Sequence, residues 1–419
     1  MPAPARQTQS YLRGLFARHG ISPRHHLGQN FLIDLNIHEL IVDSAELAAG
    51  DVVLEVGTGA GALTALMGSR GATVVAVEVD PGMAALTREA VADMPAVRVI
   101  HSDALANKNT LSPALIEAVE EAMARGGAAR PGDGGRAPAS SGGTSPSPLV
   151  GEGRGEVAAR AVDEGRARGA EEARPSEVPH PGGGGRPLSL ALPHGGGRGQ
   201  EPGSEGRGEG VGEPPTSQAP LCPLKLVANL PYSVATPVIS NLLVSPRLSP
   251  FLLVVTIQRE LADRMLAAPS TPGYGSLAIL VQALADVELV RVLQPQVFWP
   301  RPKVESAVVR IRPSAERRAS IDVPWFHDVV RKAFLHRRKN LRHVLAGMWP
   351  DRWTKPDVDA FLAPLSIEGS LRAEALTVPQ FLALAAALKG RWSTAPAVGE
   401  EEWQGEDGEP SADEAPAGQ

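Results

Sequence analysis

Five short runs rich in Val, Leu and Ile constrain this chain more than any other feature: "DVVLEV" (51–56), "TVVAVEV" (73–79), "VRVIHSD" (97–103), "LKLVANL" (224–230) and "FLLVVTI" (251–257). They are strand-length, and their apolar residues fall at successive positions, so both faces of each strand must be covered. Between them, "GALTALMGSR" (61–70), "PGMAALTREAVADM" (81–94) and "SPALIEAVEEAMARG" (112–126) carry helical spacing, the last two with Pro or Ser at their start. Strands alternating with helices predict an α/β fold. Its core is a doubly wound, mostly parallel sheet that binds ligands at the carboxyl ends of the strands.

The fourth strand arrives late. Residues 126–220 hold 25 of the 44 glycines, with repeated "GEGRGE" (151–156) and "SEGRGEG" (204–210). So little there can be buried that the stretch reads as a disordered low-complexity insertion in a surface loop. Closure entropy grows only logarithmically with loop length, so the sheet can tolerate it. Residues 393–419 carry eight acids and no Lys or Arg, which reads as an acidic, disordered tail. Without it the formal charge of −6 becomes +2, and the C-terminal third is rich in basic clusters suited to a polyanion. The single cysteine, Cys222, excludes an intramolecular disulfide and a Cys-based zinc site. That suits a reducing cytosol. No apolar run is long enough to span a bilayer.

From about Pro313 the pattern turns helical. "VPWFHDVVRKAFLHRRKNLRHVLAGM", "KPDVDAFLAPL" and "LTVPQFLALAAALKG" predict a smaller C-terminal helical domain. The expected organisation is an N-terminal helix and ligand-contacting segment (1–33), an interrupted sheet domain (34–312), a helical domain (313–392) and the tail (393–419).

"EVGTGAGALT" (55–64) follows the first strand and opens a helix. Its small residues allow close approach of a ligand to free backbone N–H groups. A pyrophosphate is disfavoured beside Glu55, whereas a sulfonium or ammonium is welcome there. Glu78 ends the second strand, where a carboxylate can accept ribose hydroxyls, and Asp103 ends the third, where it can accept from an adenine amino group. These features fit an adenosine-bearing ligand.

The fourth strand ends in Asn229-Leu230-Pro231-Tyr232. The exocyclic amine of a purine is a poor nucleophile because its lone pair is delocalised. If the Asn229 side-chain oxygen and the Leu230 carbonyl accept its two hydrogens, the nitrogen can pyramidalise and aim its lone pair at a methyl carbon. Pro231 stiffens the turn. Tyr232 can stack on the base, a contact worth roughly 1–3 kcal/mol.

These motifs, with "PRHHLGQNFLID" (23–34), "VVTIQRELADRML", "PGYGSLAILVQ", "VFWPRPKVESAVVRI" and "RKAFLHRRKNLRHVL", resemble the ribosomal RNA adenine dimethyltransferase family of the kasugamycin-resistance type. The resemblance covers nearly everything outside the insertion and the tail. It implies a Rossmann-like class I methyltransferase that uses S-adenosylmethionine, without a metal, to dimethylate N6 of two adjacent adenosines near the 3′ end of small-subunit (16S) ribosomal RNA. It further implies a monomer acting in the cytoplasm on a pre-30S particle, with no membrane partner. By likeness, Asn30, Leu32, Gly57, Glu78, Asp103 and Asn229 contact the cofactor, and Phe298 faces the target base opposite Tyr232.

"RKAFLHRRKNLRHVL" (331–345) is expected to keep Ala333, Phe334, Leu341, Val344 and Leu345 inside while Arg331, Lys332, Arg337, Arg338, Lys339 and Arg342 reach outward to RNA phosphates. Arg301 and Lys303 supply a second basic group. His25 and His26 stand where the family has a basic residue, and no carboxylate or Cys accompanies them as a metal ligand. The alternatives are a large-subunit methyltransferase of the macrolide-resistance type, a non-catalytic assembly or transcription factor on the same scaffold, and a nicotinamide dehydrogenase.

Overall fold

In the computed structural model, which describes residues 7–24, 27–128, 223–349 and 352–392, the apolar runs form the strands of one sheet. In chain order the strands are β1 (Phe31–Leu32), β2 (Val52–Val56), β3 (Thr73–Glu78), β4 (Val97–His101), β5 (Leu105–Asn107) and β6 (Thr110–Leu111). They continue with β7 (Leu224–Asn229), β8 (Pro250–Gln258), β9 (Ala285–Leu293), β10 (Phe298–Trp299) and β11 (Ser306–Pro313). Seven of these form the main sheet in the order β4-β3-β2-β7-β8-β11-β9. Neighbours from β4 through β8 are parallel. β11 is antiparallel to both β8 and β9.

This order reverses between β2 and β7. The chain runs outward from β2 through β3 to β4, then returns to the other side of β2 with β7, which opens a crevice at the carboxyl ends of these two strands. Residue alternation sorts the two faces. Val52, Leu54 and Val56 join one apolar cluster with Leu226 and Val255, while Val53 joins a second with Val74, Ala76, Val227 and Val254.

Helices cover both faces. α1 (Gln9–His19) lies in the N-terminal segment, and α2 (Leu35–Ser44) and α3 (Ala62–Ser69) bury Ile41, Leu66 and Met67 on the second face. α4 (Pro81–Ala90) is capped by Asp80, whose carboxylate accepts from the N–H groups of Gly82 and Met83, a cap worth about 1 kcal/mol. α4 and α1 share a third cluster of Leu12, Phe16, Phe31, Met83 and Leu86. α5 (Pro113–Ala128), α6 (Tyr232–Val244), α7 (Arg259–Met265) and α8 (Ser276–Leu284) pack on the first face.

α9 (Ala315–Ala319), α10 (Val323–Phe334), α11 (Leu341–Met348), α12 (Lys355–Leu362) and α13 (Val378–Arg391) follow the last strand. Phe326, Val330, Phe381 and Leu384 of this group share the first apolar cluster with Ile279 and Leu280 of α8. One correction concerns the long helical pattern from 323 to 348. It breaks after Phe334, and a turn at 335–340 separates α10 from α11. The Asn340 carboxamide accepts from the His343 N–H, and an Asn that caps a new helix competes with continuation of the old one.

The expected insertion at 126–220 lies outside the described residues from 129 onward, and α5 runs through Ala128. The acidic tail, His25, His26 and Cys222 also lie outside them.

Candidate active site

Gly57 leaves β2 at φ +78°, a conformation that an L side chain rarely adopts. A Cβ there would lie 2.7 Å from Cδ and 2.9 Å from Cγ of Pro231. The glycine turn after β2 and the Pro turn after β7 therefore touch, which only a residue without a side chain permits.

Around this contact opens a cavity of about 180 Å³. Asn30, Leu32, Gly57, Glu78, Asp103, Asn229, Leu230, Pro231 and Tyr232, nine of the ten residues expected at the reaction centre, all line it. They come from five segments brought together by the strand order at the crevice.

Two carboxylates enter from the strand ends. Glu78 accepts from the backbone N–H groups of Asp80 (2.9 Å) and Gly59 (3.2 Å). Burial raises its pKa, and those N–H groups oppose the rise. Glu55 is only 1% exposed, and its Oε2 has no hydrogen-bond partner among the described residues. Burial pushes its pKa up to about 8; the nearby Thr64 hydroxyl pulls down, and Glu78 adds to the rise. Such a group stores an unmet demand for a cation or a donor beside the glycine turn. Asp103 stands at an exposed lip of the cavity, where one oxygen accepts from the Leu105 N–H at 2.9 Å.

The amide of Asn229 has a defined direction. Its Nδ2 donates to the backbone carbonyl of Asn30 at 3.1 Å, so Oδ1 is the end left to accept from another molecule. Leu230 is held through its N–H on the Thr256 carbonyl of β8, at 3.1 Å. Tyr232 begins α6, and its hydroxyl lies 2.6 Å from the Ser306 hydroxyl on β11. Sequence reasoning did not single out Ser306. The available signal was a polar residue at the start of the otherwise apolar run "SAVV".

Phe298 departs from expectation. It is 3% exposed, packs in the second apolar cluster and does not line the cavity. Antiparallel pairing of β10 with β1 sets Phe298 opposite Leu32, and it is Leu32 that reaches the cavity wall. A further residue absent from the expectations is His38, in the same wall, whose burial lowers its pKa to about 4 and keeps the imidazole neutral.

The basic residues divide into two groups. Arg337 pairs with Glu374 and donates to the carbonyls of Pro272 and Tyr274, and Arg342 pairs with Asp359. Lys332 pairs with Asp328, and Arg331 is half-buried, its Nε without a hydrogen-bond partner among the described residues. These four are therefore corrected from outward-reaching to wholly or partly engaged with the fold. Arg301, Lys303, Arg338 and Lys339 are exposed and make no ion pair among the described residues. Arg338 and Lys339 line a second concavity together with Arg342, His343 and Lys355.

Among the described residues no cluster of metal-ligating side chains occurs, and no helix is long and apolar enough to cross a membrane.

The sheet order and the paired turns are those of the Rossmann-like class I methyltransferase fold, and membership of the rRNA adenine dimethylase family makes S-adenosylmethionine the methyl donor. A sequence model of the ribosomal RNA adenine dimethylase family matches residues 21–113 and 213–387, and the chain belongs to that family. Two curated relatives are both called ribosomal RNA small subunit methyltransferase A. The one from Pelotomaculum thermopropionicum is 31% identical over 379 residues, covering 89% of this chain and 94% of its own length. That from Geobacillus thermodenitrificans is 29% identical over 383 residues, covering 91% and 96%. In fold the chain is similar to a dimethyladenosine transferase from Plasmodium falciparum, with a TM-score of 0.52, 16% identity and coverage of 88% and 100%.

Proposed function

We propose that this enzyme transfers methyl groups to N6 of two adjacent adenosines near the 3′ end of small-subunit (16S) ribosomal RNA, working as a cytoplasmic monomer on a pre-30S particle. The observation that carries the reading is the Asn229 amide, which lines the cavity beside the glycine turn and gives its Nδ2 to the Asn30 carbonyl, leaving its oxygen as the end that can accept.

Four features fit S-adenosylmethionine: the side-chain-free contact at Gly57, the unpartnered buried oxygen of Glu55, the Glu78 carboxylate and Asp103 at the lip. Asn30, Leu32, Gly57, Glu78, Asp103 and Asn229 would hold it. Bound there, it supplies a methyl group made electrophilic by a sulfonium. Asn229 Oδ1 and the Leu230 carbonyl accept the two hydrogens of the target amine and localise its lone pair. Pro231 keeps those two acceptors in fixed relation. Tyr232 stacks on the base and excludes water from one side. The methylated nitrogen is acidic enough to lose its proton to solvent, so no strong general base is required. Arg301, Lys303, Arg338 and Lys339 meet the RNA backbone, while Arg337 and Arg342 shape the surface that presents them.

The test is methyl transfer to small and large subunits isolated from a strain lacking this modification. Primer extension is expected to stop at two neighbouring adenosines near the small-subunit 3′ end. Stops on large-subunit RNA instead would move the enzyme to the macrolide-resistance type. Binding without transfer would make it an assembly factor.

A further inference from the structure

Ser306 begins β11 and is completely buried, 0% exposed. A hydroxyl in that position is disfavoured unless it finds a partner, and its partner is the Tyr232 hydroxyl at 2.6 Å. The bond joins residues 74 positions apart, so it belongs to the tertiary fold and not to a local turn.

Its location matters as much as its length. Ser306 lies opposite Gln258 at the end of β8, and two residues earlier on β8 the Thr256 carbonyl holds the Leu230 N–H. Two members of the Asn-Leu-Pro-Tyr turn are thus tied to the same strand pair. Leu230 is held through its backbone and Tyr232 through the tip of its ring. A tyrosine fixed only at Cα can swing about two side-chain torsions, whereas one fixed at both ends presents a single ring plane. Burial raises the Tyr232 pKa, so the phenol stays protonated and the pair remains a neutral hydrogen bond.

We propose that Ser306 is a positioning residue for methyl transfer: its hydroxyl anchors Tyr232 so that the ring meets the target base in one orientation. The proposal rests on the reading of Asn229 to Tyr232 as the base-binding turn. Ser306 touches neither the donor nor the base. Its effect runs through the tyrosine, and it belongs to turnover once RNA and donor are bound.

The experiment compares Ser306→Ala, Tyr232→Phe, the double variant and Tyr232→Ala in the full chain. Unmodified small subunits serve as substrate, and kcat, KM, donor affinity and thermal midpoint are measured. Ser306→Ala and Tyr232→Phe are each expected to lower kcat about fivefold to tenfold, the rate equivalent of one net hydrogen bond. The double variant is expected to be no slower than either single one, since both remove the same bond. Donor affinity stays at the wild-type value. Should Ser306→Ala fold poorly, Tyr232→Phe breaks the bond from the other side, and its kcat decides the matter. Wild-type kcat in the well-folded variants, or losses that multiply in the double variant, would overturn the proposal. If Tyr232→Ala itself turns over normally, the base-binding reading fails instead, and the two failures are told apart.

Discussion

Replacing Gly57 by Ala tests the contact on which the site is built. The residue sits at φ +78°, and a left-handed conformation costs an L residue roughly 1–2 kcal/mol. The new methyl carbon would also lie 2.7 Å from Pro231 Cδ, and forcing an extra methyl into a packed position costs about 1–3 kcal/mol. Together these amount to about 2–5 kcal/mol, or a fall in thermal midpoint of roughly 5–15 °C for a unit of this size. The control is Gly50→Ala, where φ is +86° but nothing lies within 4 Å of the added carbon. That variant carries the backbone strain alone, about 1–2 kcal/mol. The difference between the two isolates the steric push on the Pro231 ring. Pro231 has little freedom to yield, so Gly57→Ala should also weaken S-adenosylmethionine binding in a calorimetric titration, by on the order of tenfold or more, while Gly50→Ala should leave it unchanged. Equal melting of the two variants, with wild-type donor affinity in both, would refute the idea that the two turns touch.

Other outcomes follow from single side chains. Glu55 has its pKa raised from 4.5 to about 8, so the folded chain holds a proton there that the unfolded chain has released. Its contribution to stability is complete below about pH 4.5 and is lost as the pH climbs through 8; in Glu55→Gln, thermal midpoints across that window should decline less. Lys225 and Asp51 form a buried pair at 2.7 Å, and Lys225→Met should cost about 3–5 kcal/mol in denaturant unfolding by stranding the carboxylate. Adding Asp51→Asn should recover part of that loss. Removing Arg338 and Lys339 together should flatten the salt dependence of RNA binding by roughly 0.7–0.9 log units per charge, measured by filter binding across a salt series. Arg337→Ala, which breaks the Glu374 pair, should lower the melting temperature with little change in that slope.

Most of the parallel part of the sheet was readable because strands buried on both faces are apolar at nearly every position, with exceptions such as Glu55 in β2 and Lys225 in β7, whereas the edge strand β4 is only partly buried. Val52 to Val56 and Val74 to Val77 leave little choice. The crevice was readable too, since strand order places the ends of β2, β3 and β7 side by side. What escaped depends on partners distant in sequence. Arg337 looks like a free cation until Glu374, 37 positions away, meets it. Arg342 meets Asp359 in the same way. Phe298 carries no local mark that β10 pairs with β1, a pairing that turns its ring into the core and leaves Leu32 at the cavity. The break at 335–340 was masked by buried residues on both sides that keep helical spacing, and the Asn340 cap was the one local clue.

The central claim is that a carboxamide oxygen at the end of β7 prepares the target nitrogen for transfer. It is tested most directly by single-turnover methylation of unmodified small subunits with Asn229→Ala, with donor and RNA affinities measured alongside. The account predicts a loss of about 100-fold to 1000-fold in the methylation rate, as for a missing transition-state contact, with RNA binding intact. A variant that methylates both adenosines at the wild-type rate would contradict it.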